Sequence, residues 1–248
     1  MKNIQNFGNF RKFATNQKIN GQYLTGDSLD SYNKHIENSF ITPYVIEHSR
    51  DNGVSIDIFS RLIRDSIIFI GDEIDDYLAN VVTAQLLFLN NANSNKDISI
   101  YCSSPGGSVY AGMQIIGTMQ FIPNTIKTFG LGLCASMASV VLACGDYGYR
   151  FIQSNGTVMI HQPITGVQGP AADIQIVSDE VNRLKTELFD IIADRTGHTY
   201  EEICEVAQRD NWMSAQDALD FNIVDKILPL NAEKTIKYTD WKKQKNNQ

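Results

Sequence analysis

Two serines, Ser136 and Ser139, lie inside LGLCASMASVVLACGDYG (131–148), the most apolar run of the chain. A buried hydroxyl without a partner costs about 1–3 kcal/mol, so either the helix backbone absorbs these two or one of them reacts. Ser136 follows the strand-like TIKTFGLG and opens the helical SMASVVLACG, a strand-to-helix junction where free backbone amides and the helix N-terminal field favour a nucleophile. Ala135 and Ala138 are small enough to leave room for a carbonyl beside it. The alternative is that Ser136 is only an N-cap. Ser139, three residues on, reads as a helical serine bonded back to the preceding turn. A serine nucleophile needs a base, and there are four histidines. His35 lies in an unpatterned N-terminal stretch, His48 in a polar EHSR segment, and His198 just before a capping box, as a solvated turn residue. His161 ends the apolar run TVMI and is followed by QP, which puts an imidazole at a strand terminus; a satisfied core histidine is the other reading. Gly106 and Gly107 in SSPGGSVYAG (103–112) follow the strand-like DISIYC. Consecutive glycines there can turn backbone amides toward an oxyanion, or simply make a tight turn. The Lys-Ser/Thr ending of a phosphate-binding loop is missing.

The elements that must position these groups alternate. SIIFIGD (66–72), DYLANVVTAQLLFLNNA (76–92), DISIYCS (97–103), YAGMQIIGTMQFI (110–122) and TIKTFGLG (125–132) read as strand, helix, strand, helix, strand, with the serine-bearing helix next. That order predicts an α/β fold with a mainly parallel sheet and right-handed crossovers, whose strand ends hold ligands. After GTVMIHQP (156–163) a long helix is expected, in which Ile174, Val177, Val181, Leu184, Leu188 and Ile191 recur at alternating spacings of three and four. Such a seam calls for a partner helix, or burial on its own sheet. Thr199 with Glu202 and Ser214 with Asp217 form capping boxes for shorter helices, and IVDKIL (223–228) closes the domain as a strand.

Composition narrows the setting. The 248 residues, 43% of them hydrophobic, suit one domain with appendages. A net charge of −7 and no Lys/Arg cluster outside the C-terminal KK region argue against a nucleic-acid surface and for a neutral or peptide-like substrate. Cys102, Cys134, Cys144 and Cys204 are scattered without metal spacing and read as reduced residues in a cytosol-like compartment. No apolar segment reaches the ~18 residues of a membrane span. The opening MKNIQNFGNFRKFATNQK is basic and acid-poor like a transit peptide, but it has no serine before Ser28, so a flexible cytoplasmic arm is expected.

Together SPGGSVYAGM, CASMAS, VMIHQP, QRDNWMSAQDAL and the lead-in PYVIE…DIFSRLIRDSIIFIGDEIDDYLANVVTAQLLFL resemble, in order and spacing, the proteolytic-subunit (ClpP) family of the ATP-dependent Clp protease, from about Pro43 to Leu228. The resemblance implies that Ser136 is the nucleophile, His161 the general base and Asp210 the acid, which residue types alone do not single out among the neighbouring aspartates. It implies an oxyanion hole from the amides of Gly107 and Met137, and a serine endopeptidase acting on unfolded polypeptides without a cofactor. The implied fold is a crotonase-like spiral of ββα units over 43–230, with a protruding handle helix at about 171–197, an N-terminal axial arm over 1–42 and a polar tail over 231–248. The implied assembly is two stacked heptameric rings whose handles meet, served by a hexameric Clp ATPase that consumes the ATP and docks at Tyr101, Phe121, Phe129 and Phe151. Nucleic acid and membrane have no part in it. Departures touch the assembly: Pro170 stands in GPAAD where the family has Gly-Gln-Ala, Gln208 replaces an acid before Arg209-Asp210, and Ser99 and Gln153 are polar for docking positions. Two other readings are a crotonase-type acyl-CoA enzyme and a low-activity structural subunit of mixed rings.

Overall fold

Apolar runs separated by helical patterns become a mainly parallel sheet covered by helices. The computed structural model describes residues 18–19, 22–23, 44–49 and 52–229. The arm expected over 1–42, apart from two short strands, the tail expected over 231–248, and His35 lie outside the described residues. The chain divides into two units, Met1–Ile58 and Phe59–Gln248. In the first, β1 (Lys18–Ile19) and β2 (Gln22–Tyr23) pair antiparallel, as do β3 (Tyr44–Ser49) and β4 (Asn52–Asp57).

Helix α1 (Ile58–Arg64) starts on the last residue of the first unit, and the second continues through β5 (Ile67–Ile70), α2 (Asp76–Ala92), β6 (Ile98–Ser104), α3 (Val109–Phe121), β7 (Ile126–Ala135), α4 (Met137–Ala143), β8 (Arg150–Gln153), β9 (Thr157–Ile160), α5 (Ala171–Thr196), α6 (Tyr200–Val206), β10 (Asn211–Ser214), α7 (Ala215–Asp220) and β11 (Lys226–Leu228). The α/β expectation holds, with β5, β6 and β7 parallel neighbours. Helix α2 covers the span read from its periodicity, because Ala79, Val82, Leu86 and Leu89 line one buried face and Asp75 caps Leu78 N–H. Both capping boxes form, at Thr199/Glu202 and Ser214/Asp217.

Strand β7 does the positioning. Its first half, Thr128 to Gly130, pairs with β8, and its second half, Leu133 to Ala135, pairs with β9. Between them Gly132 takes φ +58°, a left-handed residue that lets one strand serve two neighbours. Strand β10 then adds to β9 antiparallel, with Asn211 opposite Ile160. Strands β8 and β10 are absent from the sequence reading. Beneath β8 the guanidinium of Arg150 is enclosed, bonding Asp225 Oδ1 at 2.6 Å, Asp225 Oδ2 at 3.0 Å and Arg195 O at 2.7 Å.

The long helix expected after GTVMIHQP is α5, which begins at Ala171 and ends on Gly197 at φ +78°. Its apolar seam divides. Leu184 and Leu188 are buried in the chain's own core with Phe189 and Ile192, whereas Ile174 is 40% exposed. The C-terminal half of the seam therefore follows the intramolecular alternative. The N-terminal half is tethered to α3 where Tyr110 Oη donates to Glu180 Oε1 at 2.5 Å. Arg183, and after it Tyr110, holds the Glu180 carboxyl down at about 2. His198 is not the solvated turn residue expected; its ring stacks on Phe221 at 4.1 Å between centroids. Cys102, Cys134 and Cys144 are buried free thiols and Cys204 is half-buried. Among the described residues no helix is long and apolar enough to cross a membrane.

Candidate active site

Register brings three distant residues together. Because Ala135 pairs with Met159, the next residue, Ser136, lies beside the end of β9, and its N–H donates to Met159 O at 2.8 Å. His161 is one residue beyond β9, and Asp210 is one residue before β10, whose Asn211 faces Ile160. The result is a linear relay: His161 Nε2 is 2.9 Å from Ser136 Oγ, and His161 Nδ1 is 3.0 Å from Asp210 Oδ1. The chemistry of the two partners sets the tautomer. A carboxylate only accepts, so Nδ1 carries the proton and Nε2 is left to accept from the serine hydroxyl.

Ser136 occupies the N-cap position of α4, yet its side chain caps nothing; the hydroxyl is turned to the imidazole instead. Its backbone holds φ +52°, ψ −124°, sparsely populated for a residue with a side chain and worth about 1–3 kcal/mol of strain. Close packing maintains that conformation. Every residue of α4 is buried, and Ser139 Oγ donates to Ser136 O at 2.6 Å, as expected of the back-bonded serine. Gly106 presses from the other side. A Cβ there would lie 2.6 Å from Ala135 O, 2.7 Å from Ser136 Cβ and 2.9 Å from Met137 N, so only glycine fits.

The glycine pair is held by a one-residue parallel bridge to Ile74. Ile74 N–H donates to Gly106 O and Ser108 N–H to Ile74 O, both at 2.8 Å, while Gly106 N–H donates to Ser104 Oγ at 3.1 Å. In that pattern the bridging residue's own N–H points away from its partner, so the Gly107 amide is directed off the bridge. Met137 N–H is the first of α4 and has no helical acceptor. Both residues line a cleft of about 240 Å³ with Ser136 and His161. Apart from Ser139, its remaining wall is apolar, with Val109, Met159, Ile164, and from α5 Leu188, Phe189 and Ile192. A cleft of this kind accommodates one apolar side chain of an extended peptide beside the hydroxyl.

The aromatic residues expected at the docking surface lie apart from this cleft. Tyr101, Phe129 and Phe151 occupy one row across β6, β7 and β8, stacked at 4.5 and 4.9 Å. Phe121, at the end of α3, is not in the row and is 79% exposed. Ser99 is on β6 and Gln153 on β8. Pro170 is the residue before α5. Among the described residues no three His, Cys, Asp or Glu side chains are grouped so as to hold a metal ion.

Residue types pointed to Ser136, His161 and the glycine pair, but Asp210 came only from resemblance. The signal that would have found it is NWMS as a short strand beside TVMI, a pairing visible only in three dimensions.

The Clp protease family model matches residues 49–231. The ATP-dependent Clp protease proteolytic subunit of Porphyromonas gingivalis is 47% identical over 222 residues, 90% of this chain and 98% of the relative. Its counterpart in Bacteroides fragilis is 44% identical over 219 residues, 88% and 97%. The ATP-dependent Clp protease proteolytic subunit 1 of Shouchella clausii is 48% identical over 188 residues, 76% and 97%. A match over most of the chain, at such identity, on a sheet that assembles a serine, a histidine and an aspartate in relay, assigns the chain to the Clp protease family.

Proposed function

We propose that Ser136 is the nucleophile of peptide-bond hydrolysis, His161 its general base, and Asp210 the carboxylate that orients the imidazole. The chain is a serine-type peptidase. Ser136 Oγ adds to the peptide carbonyl carbon as its proton passes to His161 Nε2, and the carbonyl oxygen takes the negative charge toward the amides of Gly107 and Met137. The C–N bond then breaks, the amine leaving with the proton from Nε2 and an ester remaining on Ser136. Water, deprotonated by His161, adds to that ester; the C–O bond breaks and the proton returns to Ser136 Oγ. This chain's own side chains and amides perform every step, with no cofactor.

The substrates are unfolded polypeptides, the assembly two stacked heptameric rings, and the setting the cytoplasm. A hexameric ATPase, binding over the Tyr101–Phe129–Phe151 row with Phe121, supplies substrate and uses the ATP. The names of the relatives, ATP-dependent proteolytic subunits, support that reading and favour neither an acyl-CoA enzyme nor a purely structural subunit. What carries the catalytic assignment is the Asp210–His161–Ser136 relay at 3.0 and 2.9 Å beside an apolar cleft. A fluorophosphonate probe followed by peptide mapping tests it. Ser136→Ala is expected to lose labelling and short-peptide hydrolysis, about 10^6-fold in the serine-protease template, with His161→Ala as inactive and the double variant no worse. Labelling retained at another serine overturns it.

A further inference from the structure

Asp210 is an unusual member of the relay because its side chain is 55% exposed and, among the described residues, His161 is the one group hydrogen-bonded to its carboxylate. Its placement must come from its backbone, and the turn before it, Ala207 to Arg209, is stitched to the strand end carrying His161 by a single residue. Gln162 N–H donates to Ala207 O at 2.8 Å, and Gln162 Nε2 donates to Gln208 O at 2.9 Å. The remaining amide atom, Gln162 Oε1, accepts from Lys185 Nζ of helix α5 at 3.2 Å. An ammonium has no acceptor, so Oε1 must face Lys185 and Nε2 must face the Gln208 carbonyl; the amide has one permitted orientation. Lys185 is itself held with its ammonium 5.4 Å from the centroid of the Phe189 ring, which lines the substrate cleft.

We infer that Gln162 is a positioning residue for the relay, an amide clamp that sets Asp210 against His161, and that Lys185 is its buttress on the handle helix. The inference rests on the reading of Ser136, His161 and Asp210 as the catalytic relay. Its chemistry is specific. Only a side chain that donates at one end and accepts at the other satisfies a carbonyl and an ammonium together. Gln162→Glu keeps an acceptor for Lys185 and places a second oxygen against Gln208 O, whereas Gln162→Met keeps the length and loses both bonds.

The test uses the assembled full-length protein. Read-outs are kcat and KM for a short peptide, the second-order rate of fluorophosphonate acylation, the thermal midpoint and sedimentation. Both Gln162→Glu and Gln162→Met are expected to lose about 10- to 100-fold in kcat and in acylation rate, the effect of misplacing a supporting group by a fraction of an ångström. KM stays within about twofold, because the cleft is untouched. Lys185→Met loses roughly 3- to 10-fold in kcat, a smaller effect because the Gln208 bond survives, and Lys185→Arg recovers most of that loss. The clamp is overturned if Gln162→Glu acylates at the wild-type rate, if the loss falls in KM, or if it only tracks a lower thermal midpoint or broken assembly. Failure of the wild type to acylate at Ser136 overturns the relay itself, a separate outcome from a normal wild type with an indifferent Gln162.

Discussion

Adding one methyl group at Gly107 should nearly abolish turnover while leaving substrate binding almost intact. Gly107 holds φ +150° with its Cα turned to Ile74, and a Cβ would lie 2.9 Å from both Ile74 C and Ile74 N and nearer still to Ile74 O. Ordinary van der Waals contact begins near 3.4 Å, and the nearest atom, Ile74 O, sets the displacement, so the loop must retreat by about 1 Å. The retreat strains the two 2.8 Å hydrogen bonds of the Ile74 bridge, each worth about 1 kcal/mol. With the positive φ now imposed on alanine, the loop is destabilised by on the order of 3 kcal/mol. Its amide leaves the position where charge develops in the transition state. Losing one such donor costs about 10²- to 10³-fold in kcat, or roughly 2.7–4 kcal/mol, with little change in KM because the donor acts late. Gly117→Ala is the matched control: on α3 a Cβ there meets nothing within 4 Å, so the helix gains about 0.8–1 kcal/mol and activity is unchanged. Steady-state hydrolysis of a short peptide by both variants decides the matter. A Gly107→Ala enzyme within about threefold of wild-type kcat would refute the assignment of that amide.

Two further outcomes follow from packing. Asp225→Asn leaves the enclosed Arg150 guanidinium, 4% exposed, without its counter-charge, at about 3–5 kcal/mol. Burial alone would raise the Asp225 carboxyl, but the hydrogen bonds and charge of Arg150 outweigh it and hold the group below the ordinary aspartate value. The stabilisation is therefore complete above the unfolded value of about 3.9 and is lost as pH falls through the lower native value, so the gap in thermal midpoint between wild type and variant should close only below about pH 4. On α5, Leu184→Ala should lower the midpoint through a core cavity of about 2–5 kcal/mol. Ile174→Asp, at a seam side chain 40% exposed, should leave the fold within about 0.5 kcal/mol yet convert the proposed double rings to single rings by sedimentation. An Ile174→Asp protein that stays double-ringed would remove the exposed half of the seam from the proposed ring contact.

The parts of this molecule legible in its sequence are those written locally. Helix α2 and the two capping boxes depend on residues within a few positions of one another, and the periodicity of one and the Thr/Glu and Ser/Asp spacings of the others located them. Ser136 and His161 were legible for a related reason: each ends an apolar strand pattern, and a parallel sheet gathers strand ends. What stayed hidden depends on pairing across the sheet. Asp210 acquires its place from the antiparallel register of β10 on β9, β8 is a four-residue strand without a pattern of its own, and the division of the α5 seam reflects where the core stops. The same limit hid His198, whose ring finds Phe221 only once α6 and α7 are in place. The positive φ of Ser136 is likewise invisible in a string of letters, although Gly106, which it needs as a neighbour, is plain to see.

The late position of β10 has a consequence for synthesis. A ribosome-bound chain carries Ser136 and His161 well before Asp210 and its strand emerge, and β9 must remain an unpaired sheet edge until they do. For all that time the serine faces an imidazole with no carboxylate to set its tautomer, in the template a relay about 10^4-fold weaker. The order of the strands along the chain thus makes completion of the relay the last step in building the site, and couples peptidase activity to the pairing of β10 with β9.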